Sequence, residues 1–165
     1  MSIADVSRLI NRELASLRDE LLAYPNEADL WQLPKGLPNS AGNLALHLVG
    51  NLRFYIGTQL GATGYVRDRN AEFALRGVPR AEIVKSIETA ADEVTRTLTT
   101  LDAAQLDKPF PVEIGGNRIQ TGMFLQHLAS HLAYHLGQVD YHRRVVTGNS
   151  VSVGAIPIPP IALTK

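Results

Sequence analysis

Four of the five histidines in this sequence, His127, His131, His135 and His142, fall within sixteen residues, in LQHLASHLAYHLGQVDYHRR. On a helix, a step of four positions turns only about 40° and advances about 6 Å. His127/His131 and His131/His135 are therefore both pairs of imidazoles stacked on one face. Either pair could grip Zn²⁺, Ni²⁺ or another divalent ion that prefers nitrogen. A lone helical histidine is more often packed or solvated than a ligand. This run, however, sits among Leu128, Leu132, Leu136 and Val139, and an inward imidazole without a partner costs about 1–3 kcal/mol. One cation would serve several rings at once. His47, in the apolar stretch LALHLV, could complete a three-histidine site from a second helix.

Rival chemistries are poorly supplied. There is no cysteine, which excludes disulfides, thiolate metal sites and a cysteine nucleophile. The zinc-protease pattern needs Glu directly after its first histidine, where this chain has Leu128 and Leu132. No nucleophile elbow, phosphate loop or dinucleotide fingerprint occurs. Sixteen basic residues cancel sixteen acidic ones, so no electrostatic footprint for nucleic acid or anionic lipid is expected. The N-terminal segment lacks a signal-peptide apolar run, and no stretch approaches the roughly 18 apolar residues that span a bilayer. A cytoplasmic location is the expectation.

The elements that must position these histidines follow from periodicity. Ile3, Val6, Ile10, Leu14, Leu17 and Leu21 predict an amphipathic helix over 3–23, stopped by Pro25 and Asn26. Ser40 is a candidate N-cap for a second helix over 40–59. A third is predicted over 79–101, with Pro79 in its first turn and Ile83, Ile87, Ala90, Val94 and Leu98 as its stripe. The fourth runs over 121–146 and ends at Gly148 and Asn149. Between the last two, Val112, Ile114 and Ile119 flank Gly115-Gly116-Asn117, which predicts a minor β-hairpin near 110–119. At 165 residues, 45% of them apolar, the chain suits one domain with a real core. The pattern is that of an all-α four-helix bundle over 1–150, followed by a proline-broken extended tail over 151–165. The connections 24–39 and 60–78 exceed the about 2–8 residues that join simple neighbours, so at least one should cross the end of the bundle between parallel helices.

With these residues in view, Leu46-His47 in a helix ending NLRFYIG, and HLASHLAYHLGQVDYHRR far downstream, resemble the DinB/YfiT-like metal-binding bundles over roughly residues 5–147. GNLRFYI and VRDRNAEFALRGVPRAEIVKSIETA resemble a functionally uncharacterised branch of that superfamily. The family pattern has one histidine on the second helix and His-x-x-x-His on the fourth, often within Tyr-His-Arg-Gly-Gln. Carried over by position, the resemblance implies His47, His131 and His135 as metal ligands, with zinc or nickel as the ion. It selects His131/His135 where spacing alone leaves the two pairs equal. The chain departs from the pattern at Leu136, where Arg is frequent. His127 becomes a neighbour or core residue, and His142 a more distant one. Gln138 is expected to orient a ligand ring, as metal-bound histidines usually require.

Relatives in this superfamily include transferases and isomerases that use low-molecular-weight thiols such as bacillithiol or mycothiol. The resemblance therefore implies a metal-dependent enzyme acting on such a thiol and an electrophilic small molecule, with hydrolysis as a second option. The alternative is a non-catalytic metal-binding or stress-response bundle. No catalytic residue stands out: Asp140 reads as a solvated helix residue, and Arg67, Asp68, Arg69 and Glu72 could line a pocket mouth, although such a charge run is usually just solvated. A homodimer is implied by the resemblance, with the apolar tail as a further reason if it were left exposed.

Overall fold

Ser2 opens the first long helix: its hydroxyl accepts from the Asp5 amide while the Asp5 carboxylate accepts from the Ser2 amide. This reciprocal capping satisfies two orphan donors of α1 (Ile3–Leu22). In the computed structural model, which describes residues 2–162, Val6, Ile10, Leu14, Leu17 and Leu21 are all buried, as their spacing predicts. Ser40 caps α2 (Ala41–Leu52) through the Asn43 amide, and the helix continues into a widened π-helical turn over Arg53–Thr58. Asp68 caps a short α3 (Arg69–Ala74) that periodicity does not predict. Pro79 stands at the capping position of α4 (Arg80–Thr100) rather than inside its first turn. α5 (Thr121–Thr147) ends at Gly148, whose φ of 68° is left-handed and free of strain only for glycine.

The architecture is an all-α bundle, without a strand among the described residues. The segment near 110–119 does double back. Phe110 donates to the Ile119 carbonyl, and Ile114 and Asn117 exchange hydrogen bonds across the two glycines. Only two isolated antiparallel bridges form, however, because a lone two-stranded ribbon is marginal in water. Val112, Ile114 and Ile119 instead lean on the bundle core.

Side-chain contacts give the helix directions. Asn11 meets Thr95 while Arg80 reaches the Leu21 and Tyr24 carbonyls, so α1 and α4 are antiparallel. Tyr55 packs on Phe124 while His47 meets His131 and His135, so α2 and α5 are antiparallel too. Glu20 binds Arg143 near the C-terminal ends of α1 and α5, whose N-terminal turns also share a surface depression; these two helices are parallel. The order is up, down, down, up, and the crossover between parallel helices is the segment from α2 to α4. It travels back along α2: Thr58 donates to the Tyr65 carbonyl, and Asn43 donates to those of Glu72 and Leu75. The connection read as solvated is thus laid against the helix that carries His47.

The tail lies over its own bundle. Arg143 donates to the Val151 carbonyl, the Ile156 amide donates to Ser16, and the turn Pro159–Ile161 contacts α1. Val151, Ile156 and Ile158 nevertheless stay exposed along it. No helix among the described residues is long and apolar enough to cross a membrane.

Candidate metal centre

α2 and α5 bring His47, His131 and His135 together, with ring centroids 4.6–5.4 Å apart. One ligand nitrogen from each lies within 4.8 Å of the others. His47 Nε2 and His131 Nε2 are 3.3 Å apart. Two nitrogens bound tetrahedrally to one ion at about 2.0–2.1 Å stand about 3.3–3.4 Å apart, so this separation suits a shared cation.

The far side of each ring tests the fit. His47 Nδ1 lies 3.0 Å from Glu72 Oε2. An Arg67 terminal nitrogen also stands 3.2 Å from Nδ1, but the carboxylate is nearer and only accepts, so the tautomer with the proton on Nδ1 pairs best and leaves the Nε2 lone pair facing the cluster. Arg67 forks onto the same carboxylate, from Nε to Oε1 at 2.7 Å and from its terminal nitrogen to Oε2 at 2.8 Å. His135 Nδ1 is 2.6 Å from Gln138 Oε1, so this ring too donates outward and turns Nε2 inward. His131 Nδ1 is buried without a partner among the described residues. Its one polar contact is through Nε2, within the cluster. Two rings held in the metal-binding tautomer and a third with nowhere else to bond fit a nitrogen-preferring divalent ion.

Glu72 and Arg67 correct the sequence-based expectation: their side chains are only 6% and 9% exposed. Burial alone would raise the Glu72 carboxyl, but Arg67 and His47 outweigh it and hold the group below its ordinary range. Gly50, one turn beyond His47, makes room for this carboxylate, since a Cβ there would overlap Glu72 Oε1. Gly50→Ala is expected to displace Glu72 from His47 without unfolding the bundle, because alanine favours a helix by about 1 kcal/mol over glycine. A loss of the His47 Nδ1–H signal from its hydrogen-bonded nitrogen NMR position would register this; an unchanged signal would refute it.

The remaining histidines separate cleanly. His127 is exposed and stacked on Phe124, centroids 5.7 Å apart. His142 is buried at another place, with Nδ1 2.8 Å from the Tyr24 hydroxyl and Nε2 2.9 Å from the Gln32 carbonyl. Asp140 does not sit free in solvent; it accepts from Arg143 and Arg144.

Burial, reinforced by the nearby His135, His47 and His127, pushes the His131 pKa down to about 4. Burial also lowers His135 and His142. The unfolded chain therefore takes up these protons first, at its ordinary pKa of about 6.5. Stability of the metal-free protein should be complete above that pH and fall progressively toward about pH 4. Urea denaturation at pH 7.5, 6 and 5 would check this, and midpoints that do not fall would contradict it.

An all-α bundle that gathers one histidine from α2 and two, spaced by four, from α5 defines a metal-site class of fold. Residues 6–139 match the family model of the DinB superfamily, and the chain belongs to that superfamily. A search of curated proteins gave no match.

Proposed function

We propose that this chain is a divalent-metal-dependent enzyme in which His47, His131 and His135 hold zinc or nickel. On this reading it transfers a low-molecular-weight thiol, of the bacillithiol or mycothiol type, to an electrophilic small molecule. The observation that carries it is the donor count: three histidines converge, and no other histidine, cysteine or carboxylate joins the group among the described residues. Three protein donors are the composition of an open catalytic site rather than a closed structural one. A divalent ion held there supplies Lewis acidity, which lowers the pKa of a thiol or water brought to it.

The protein's own part is preorganisation. Glu72 and Gln138 fix two rings, and the lowered pKa of His131 keeps its donor unprotonated near neutrality. The chain has no cysteine, so the sulfur comes from outside. In the transfer, sulfur bonds to the electrophilic carbon, the leaving group departs with the electron pair, and the thiol proton passes to solvent. The test is electrophile consumption by the zinc- or nickel-loaded protein, with a thiol panel and without thiol, beside His131→Ala. Thiol-dependent turnover lost in the variant is expected. Turnover without thiol would favour hydrolysis, and none at all would favour the non-catalytic bundle. A homodimer is proposed on family grounds; sedimentation showing only an 18.0 kDa species would reject it.

A further inference from the structure

A cleft of about 360 Å³ has His135, alone of the three clustered histidines, in its wall. Leu37, Pro38 and Leu44 line one side, and Tyr134, Tyr141 and Val145 of α5 the other. The three α5 residues, spaced by seven and then four, lie on one helix face and are 66%, 70% and 62% exposed. Open apolar surface of this kind, when concave, marks a binding site more often than a neutral stretch of exterior.

The polar groups around it narrow the ligand. No Asp, Glu, Lys or Arg contributes to the lining, so nothing there compensates a charge removed from water. His142 reaches the wall with both ring nitrogens engaged, by Tyr24 and Gln32. His135 presents a ring whose Nδ1 is taken by Gln138 Oε1. What remains is the Gln138 amide NH₂, the Asn39 side chain and the Tyr134 and Tyr141 hydroxyls. None of these has a hydrogen-bond partner among the described residues. The volume falls in the range of about 300–1,000 Å³ usual for small-molecule pockets.

We propose that this cleft binds the electrophilic substrate, an uncharged and mainly apolar small molecule with a hydrogen-bond acceptor for Gln138, Asn39 or a tyrosine hydroxyl of α5. This rests on the metal-enzyme reading, because only that reading makes a molecule beside His135 a reactant. The polar thiol then approaches from elsewhere. The same apolar strip could instead cover a second copy of the chain, but concavity and the shared wall with His135 favour a small molecule.

Two probes of similar size test the proposal on the full chain: neutral 2-acetonaphthone and charged 2-naphthoate, each titrated by NMR. Zinc affinity is measured separately by competition with a chelating dye. The neutral probe is expected to bind at least tenfold more tightly than the anion. Tyr141→Ala should weaken it several-fold, and Val145→Arg should reverse the preference, with zinc affinity unchanged in both. These positions are solvent-exposed, so the variants are expected to fold. With Co²⁺ in place of zinc, protons of the bound neutral probe should relax faster, reporting proximity to the ion. Equal binding of the two probes, or indifference to both substitutions, would overturn the cleft whether or not zinc binds. Probe binding with no relaxation enhancement on a Co²⁺-loaded chain would overturn the substrate role. Failure of zinc and Co²⁺ to bind, with the probe preference intact, would fault the metal reading while supporting the cleft as an apolar site. A wild-type dimer that excludes the probe would overturn the proposal and assign the face to self-association.

Discussion

Replacing His135 with alanine is expected to abolish the stabilisation that added Zn²⁺ or Ni²⁺ confers, while the metal-free bundle still unfolds cooperatively. A ligand at 100 times its Kd stabilises the folded state by about 2.7 kcal/mol, which in a domain of this size is a midpoint shift of about 5–11 °C. Removing one of three convergent nitrogens leaves at most two donors, so at the same metal concentration the shift should shrink toward zero. His135 is only half-buried, and its outward partner Gln138 lies on the cleft wall. Its loss therefore strands no deeply buried group. The comparison variant is His127→Ala, on the same helix and 6.0 Å from His131 between ring centroids, yet exposed. His142 is unsuitable for that purpose, because its removal breaks buried hydrogen bonds to Tyr24 and Gln32. Equal metal-induced shifts in the His135 and His127 variants would refute the three-histidine assignment.

Glu72→Ala should act on both stability and metal affinity. It strips the acceptor from His47 Nδ1 and leaves Arg67 without the carboxylate it forks onto. Breaking a deeply buried pair costs about 3–5 kcal/mol. Arg67 lies on an irregular crossover from which it can swing toward water, so a loss of about 2 kcal/mol is the expectation. Carboxylates behind a ligand histidine are worth about 10–100-fold in metal affinity, and that factor should disappear as well. Glu72→Gln separates the two effects. The amide oxygen still accepts from Nδ1 and preserves the tautomer, while the charge opposite Arg67 is gone. Stability should then fall as in the alanine variant, with most of the metal affinity retained. Isothermal titration with zinc beside urea denaturation reads both quantities. Metal affinity unchanged in Glu72→Ala would show that the carboxylate holds the crossover and does nothing for His47.

The long helices were legible because burial imposes a period: the stripes of α1 and α4 are the residues found in the core. The candidate ligand set was legible only in part. Spacing leaves His127/His131 and His131/His135 equivalent; the family resemblance favours the second pair, and the physical reason is the position of α2, whose His47 faces it. Glu72 was legible only as one charge of a run that could line a pocket mouth. Within RDRNAEF the pattern of charges does not distinguish a buried carboxylate from a solvated one until the crossover is known to run back along α2. Two local signs did exist, Asp68 placed to cap α3 and Gly50 placed to admit the carboxylate. The turn near 115 shows the converse case, where the residues encode a reversal correctly but lack a third strand to make it a sheet.

His47 and His131 stand 84 positions apart, so an ion bound by both would be a cross-link closing about half of the 165-residue chain into one ring. In the chain-entropy account of such closures, a loop of this length restricts the unfolded ensemble by about 4–5 kcal/mol if the link survives unfolding. An ion, unlike a covalent bridge, can let go of one end. His131 and His135 could keep a weak hold in a locally helical stretch while His47 departs, so the link would break at α2 first. Loss of the ion would then begin with the separation of His47 from the pair on α5.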